Sequence, residues 1–486
     1  MTVKPLRTLA AALLVTVLAT TPAVAEPDVP VDDPIPENPT PSALTLTLEE
    51  FAQFPKTEPV PTPTDQRLVR WARINYLGQV PDRSGRMFVN DLNGKLYLRD
   101  KGTWQEYLDV GATFAPDFIS GRGLGSGFGF VAFHPEFARN GKFYTVHTEA
   151  GAALTTKTPD LTPQPNSIVH GVIDEWTATD PKAGTFEGTR REVLRLGFGS
   201  NVHGIQQIDF NPTAGRRDPD YGLLYVAAGD GGRGVTTTNP QDLGIPQGKI
   251  LRIDPAGTNS ANGKYGIPAG NPFVTQPGAL GEIYAYGMRD PHRFSWDPAG
   301  SNRLFLGHIG EHEIEAIYDV RAGDNYGWSV REGSFVFKRE DRCNLYTLPA
   351  DDAQYGYTYP VAAYDHDPPP GLPCTADSGH AVVGGLVYRS WRLPFLYGKY
   401  VFGDIVDGRI WFTYASKMRR GKDRAVMYEP KLRDAATGQL VTMKDLAGSN
   451  RVDLRFGRDG HCELYVLSKA NGKIWKITGA RWEFPS

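Results

Sequence analysis

Cysteine is scarce, with three thiols in 486 residues, so a disulfide-built miniprotein is excluded. No Cys-x-x-Cys pair occurs, which leaves thiolate zinc sites and thioredoxin chemistry without support. Positive charge is not concentrated either. Lys and Arg number 52 against 55 Asp and Glu, for a net charge of −3, and no long basic run is present. A nucleic-acid surface is not indicated. Helical periodicity is scarce from Arg67 onward, and beyond the N-terminus no apolar run is long enough to span a bilayer. The 54 glycines and 38 prolines keep no period of three, so the chain is not collagen-like. What is present is a 40% hydrophobic fraction, enough for a large core and incompatible with global disorder.

The N-terminus is built differently from the rest. Lys4 and Arg7, the apolar stretch Leu9–Thr20 and the small-x-small site Ala23-Val24-Ala25 read as a secretory signal over 1–25. The mature chain is then expected outside the cytoplasm, secreted or periplasmic, without a membrane span. Residues 26–64 carry closely spaced prolines among acids and threonines and read as a disordered linker. The folded domain is expected over 65–486. Cys343 and Cys374 flank a Pro/Asp/Tyr-rich stretch and are expected to pair as a loop staple, leaving Cys462 as a buried free thiol.

Short β-rich runs alternate with Gly, Asn, Asp and Pro turns, which argues for an all-β body. One element recurs six times: Met87–Val89, Phe143–Val146, Leu224–Val226, Leu304–Leu306, Tyr400–Phe402 and Leu464–Val466. Three of these lead into hairpin signals, Asn93-Gly94, Asp407-Gly408 and Asn471-Gly472, which supply the positive φ of tight turns. Six unevenly spaced elements predict six four-stranded sheets packed radially, a six-bladed β-propeller with long inserted loops. The competing architecture is a pair of β-sandwiches, which the shared hairpin signature disfavours.

Four motifs carry possible chemistry. His203-Gly204 precedes Leu224–Gly232; a histidine at a strand mouth suits a general base, its free pKa being about 6.5. Arg289, in Tyr286-Gly287-Met288-Arg289-Asp290-Pro291, can clamp a carboxylate in two-pronged fashion or pair with a neighbouring acid. His308-Ile309-Gly310-Glu311-His312 matches H-x-x-E-H, but a strand precedes it and Gly310 interrupts it, so the helical zinc geometry is absent. The glycine-rich run 121–129 does not fit G-x-G-x-x-G and suits a loop over an opening rather than a nucleotide site.

Taken together, these segments resemble the soluble quinoprotein glucose/sorbosone (aldose) dehydrogenases, in one superfamily with the hedgehog-interacting-protein propellers. The matching stretches include Ser84–Val89, Gly127–Phe137, His203-Gly204, Gly248–Asp254, Asn271-Pro272-Phe273, Tyr286–Pro291, Asn325–Trp328, Gly384–Arg389 and Phe456–Asp459. Their preserved order over roughly 67–477 carries the resemblance. It implies a six-bladed propeller holding PQQ and Ca²⁺ on its top face. His203 falls on the base that takes the proton of the sugar C1 hydroxyl. Arg289 falls on an arginine facing the quinone. Gly310 and Glu311 fall near backbone carbonyls that hold calcium, a hard ion suited to oxygen.

The sequence also departs from that family. Asp290 stands where the family has asparagine, Val406 near its quinone-contacting lysine, and Gly125 near a glutamine by the substrate. Its paired arginines reduce to something like Arg451. The resemblance implies a quinoprotein aldose dehydrogenase with a small-molecule sugar substrate, a lactone product and an external electron acceptor. The rival is a propeller without cofactor that binds a glycan or a protein through its loops, and fold alone does not decide between them. A second rival is a zinc hydrolase using His308 and His312.

Overall fold

A computed structural model describes residues 29–36, 39–237, 239–299, 302–367 and 379–483. Among the described residues, twenty-four strands fall into six antiparallel groups of four. Three are separate sheets: Phe130–Phe133 to Gly188–Phe198, Ile205–Phe210 to Ile283–Tyr286, and Asp290–Trp296 to Ile314–Val320 with Ala362–Asp365. The others lie within one large sheet: Ile74–Gln79 to Thr103–Asp109, Val382–Val387 to Tyr428–Asp434, and Leu454–Arg458 to Lys473–Trp482 with Thr40–Gln53. The recurring sequence element is the second strand of all six groups. These strands are buried almost throughout, since each sheet is covered on both faces, and so they read as continuous apolar runs. Gly94, Gly408 and Gly472 hold their turns at φ of 118°, 77° and 68°.

First strands touch in the order 130–133, 205–210, 290–296, 382–387, 454–458, 74–79, and the Tyr76 ring packs against Phe130. Gly457 pairs in parallel with Leu77, and Asn75 donates to the carbonyl of Gly129 at 2.7 Å. The core is correspondingly divided into several apolar clusters between sheets.

The linker expectation over 26–64 is corrected. Thr40–Gln53 is a strand, antiparallel to Lys473–Trp482 and parallel to Tyr428–Asp434. No proline lies between Pro41 and Pro55, and Leu44, Leu46 and Leu48 alternate with polar residues and are fully buried. That period of two outweighs the surrounding prolines. Pro30–Val31 pairs with Asp341–Tyr346 in a small inserted sheet that also holds Arg331–Glu332 and Phe335–Lys338. The signal segment 1–25 lies outside the described residues. Among the described residues no helix is long and apolar enough to cross a membrane. Cys343 is disulfide-bonded, Cys374 lies outside the described residues, and Cys462 is a free, half-buried thiol.

Candidate functional site

The first strands begin, and the second strands end, around a cavity of about 390 Å³. Asn75, Gln206, Asp290 and Arg455 enter it from first strands or their leading residues; Leu92, Gly310, Ile405 and Lys469 enter it where second strands stop. Most of the residues singled out from sequence meet here, though His308 does not. His203, Arg289, Asp290, Gly310, Glu311 and Arg451 line this one cavity, as do the two departures Gly125 and Val406. The glycine-rich run contributes Leu124, Gly125 and Gly129 to the wall.

His203 sits at φ 53°, in the left-handed region, on the loop entering Ile205–Phe210. Its Nδ1 is 2.7 Å from Asp230 Oδ1. Asp230 is buried and also accepts from the amides of Gly232 (2.8 Å) and Gly234 (3.0 Å) and from Trp328 Nε1 (2.9 Å). Burial alone would raise its pKa; the His203 ring, Arg289 and the Trp328 N–H outweigh that and hold it below the usual carboxylate value. An acceptor so held fixes the proton on His203 Nδ1. Nε2 has no partner among the described residues and lies on the cavity side of the ring, open to a ligand.

Arg289 donates through Nε (2.9 Å) and Nη2 (2.6 Å) to Glu311 Oε2, and its amide donates to His308 Nε2 at 2.8 Å. Glu311 also binds Arg342, and the two guanidiniums hold its carboxylate low despite burial. Asp290 is buried with Oδ1 unpaired, and burial raises its pKa above the ordinary carboxylate value. Arg451 donates to Asp453 Oδ1 at 2.9 Å, and Arg70 reaches Asp453 Oδ2 at 2.6 Å.

Nine arginines and lysines line the cavity against three carboxylates. Glu311 and Asp453 are each shared by two of these cations. Arg73, Arg293, Arg455 and Lys469 are buried, and none has an ion pair among the described residues. The Arg73 guanidinium is spent on the carbonyls of Ser120, Gly123 and Leu124, and Arg455 Nε on Asn75. The Lys469 ammonium makes no hydrogen bond among the described residues; burial, then Arg455 and Arg73, push its pKa far below that of a free lysine. Such an uncompensated cationic interior suits an anionic ligand.

The residues missed in sequence are Asp230, Gln206 and Lys469. Gln206 packs against Gly125, where an added Cβ would lie 3.2 Å from its amide, so an amide does stand beside that glycine, supplied from the neighbouring strand. The zinc pattern does not assemble. His308 Nε2 is taken by the Arg289 amide and burial lowers its pKa to about 3, while His312 lines the cavity. Among the described residues the metal-ligand-like group is His380, Asp404 and Asp407. Asp404 already accepts from Tyr364 Oη (2.8 Å) and from the amides of Ala381 (2.9 Å) and Val406 (2.8 Å), which makes it a turn anchor.

An all-β frame with a basic, histidine-bearing cavity at one end defines a sugar-dehydrogenase-like fold. The Glucose / Sorbosone dehydrogenase family model matches residues 75–439, and the chain belongs to that family. It is 27% identical to the HIPL1 protein of Arabidopsis thaliana, over 86% of this chain and 63% of that protein. It is 25% identical to aldose sugar dehydrogenase YliI of Escherichia coli K12, over 72% and 76% respectively. The chain thus spans less than two thirds of the length of HIPL1. The crystal structure of the PQQ-bound aldose sugar dehydrogenase from Streptomyces coelicolor matches at a TM-score of 0.54 and 19% identity, over 88% of this chain and 97% of that one, a likeness of fold.

Proposed function

We propose that the protein is a secreted quinoprotein dehydrogenase that oxidises the C1 hydroxyl of an aldose to a lactone, with PQQ and Ca²⁺, and passes the electrons to an external acceptor. Its six groups of strands would close as a six-bladed β-propeller around the cavity. The observation that carries this reading is the His203–Asp230 pair facing a cavity whose four buried cations lack counter-charges. PQQ is a planar quinone bearing several carboxylates, and the donors present suit it. Arg455 and Lys469 would take carboxylates, and Arg289, held in orientation by Glu311, would face the ring. When bound, the quinone supplies the acceptor for the hydride leaving C1.

The chain's own residues do the rest. His203 Nε2 takes the C1 hydroxyl proton. Asp230 keeps Nδ1 protonated and stabilises the imidazolium as it forms. Gln206 offers an amide to the sugar. Calorimetric titration of residues 26–486 with PQQ and millimolar Ca²⁺ tests the reading, with saturation at one equivalent expected. His203→Ala should then lose about 10²–10⁴-fold in kcat while retaining PQQ affinity; turnover that survives would mean another base. The competing reading is a propeller that binds a glycan or protein through its loops. It draws on Arg289 being already satisfied by Glu311 and on Asp290 replacing an amide. Absence of PQQ binding by the folded, calcium-loaded chain would decide for it.

A further inference from the structure

Glu332 is almost fully buried in the inserted sheet, and its side chain reaches the loop that follows Leu304–Ile309. Four consecutive amides converge on its Oε1: Glu311 at 3.1 Å, His312 at 2.9 Å, Glu313 at 2.8 Å and Ile314 at 2.9 Å. His312 also donates to Oε2 at 3.1 Å. In a trans peptide the N–H and the C=O of one plane point in opposite directions. The amides of Glu311, His312 and Glu313 share their planes with the carbonyls of Gly310, Glu311 and His312. Those three oxygens therefore turn away from Glu332.

None of the three accepts a hydrogen bond among the described residues, whereas the next carbonyl, Glu313, takes the amide of His366 at 2.9 Å. Residues 310–312 all line the cavity. Unpaired carbonyls in sequence at a cavity wall suit a hard cation. Gly310 is what allows the wrap: a Cβ there would lie 2.1 Å from the Ile314 oxygen and 2.7 Å from Glu332 Oε1.

We propose that Glu332 is the positioning residue of the calcium site. It gathers the amides of 311–314 on one side of the loop and so presents the carbonyls of 310–312 to the cation. The identity of that cation as Ca²⁺ rests on the quinoprotein reading above. The test titrates Ca²⁺ into the full chain without PQQ, by calorimetry, in wild type, Glu332→Gln and Glu332→Asp. One equivalent should bind to wild type. Both variants should bind at least tenfold more weakly, because Gln loses the charge-assisted acceptor and Asp falls one methylene short.

An Asp variant that binds like wild type means that the carboxylate acts by charge rather than by placing the loop, and overturns the inference. A wild-type chain that takes up no Ca²⁺ overturns it as well. Should neither variant fold, amide hydrogen exchange in wild type decides. Amides 311–314 that exchange slowly before calcium is added support the inference, and protection that appears only with calcium overturns it. PQQ is titrated afterwards. A chain that binds calcium but not PQQ sinks the dehydrogenase reading alone.

Discussion

At the residue scale the site depends on which atom of His203 is free. Asp230 collects four donors, and the His203 Nδ1 proton is one of them. Asp230→Asn replaces a charged acceptor with an amide and removes the preference for that tautomer. We expect kcat to fall about a hundredfold or more, the acid limb of the pH–rate profile to move, and PQQ affinity to hold; an unchanged pH profile would reduce Asp230 to packing. Asp290 gives a second prediction. Its raised pKa means that the native state holds the proton more tightly than the unfolded chain. Folding therefore loses stability as pH rises from about 4, the ordinary carboxylate value, through the folded pKa. Asparagine never ionises. Asp290→Asn should raise Tm at pH 7 to 8, with the gain shrinking toward pH 4, and should tighten PQQ binding by removing a negative charge.

At the scale of elements, most of the frame was legible because each group repeats one buried strand. Met87–Val89 and Leu464–Val466 look alike since both are covered on two faces. Thr40–Gln53 was not legible as part of the fold because its partners lie at the far end of the chain, and only Leu44, Leu46 and Leu48 betray it. The same distance hid Lys469. It is the first residue past a second strand, as Leu92, Gly310 and Ile405 are, and that shared position is a signal only once the six strands are known to be equivalent. His203 and Arg289 were found because their motifs are local, whereas Gln206 meets Gly125 only across two sheets. Leu46→Ala should cost about 2–5 kcal/mol in denaturant unfolding, and removal of residues 26–53 should cost more, by stripping the outer strand of the last group. A truncated chain as stable as the whole would make that strand an accessory.

At the scale of the molecule, six groups of strands bring their first strands together and their charges with them. Arg73, Arg293, Arg455 and Lys469 come from three different groups, and only the convergence of those groups makes them neighbours. Such a cluster costs stability while no anion answers it, and that cost can be measured. The depressed pKa of Lys469 means that the unfolded chain binds a proton which the native chain resists, so stability rises with pH up to about 10.4, the free lysine value. Lys469→Met should stabilise the ligand-free protein at pH 7, with the gain disappearing above that value. The same variant should weaken PQQ about tenfold, the size of one charge-assisted hydrogen bond, and flatten the salt dependence of binding. On the quinoprotein reading the two effects have opposite signs, because the cavity would be arranged for the bound state. A Lys469→Met protein that gains stability and keeps full PQQ affinity would place the carboxylates elsewhere and leave this ammonium without a ligand.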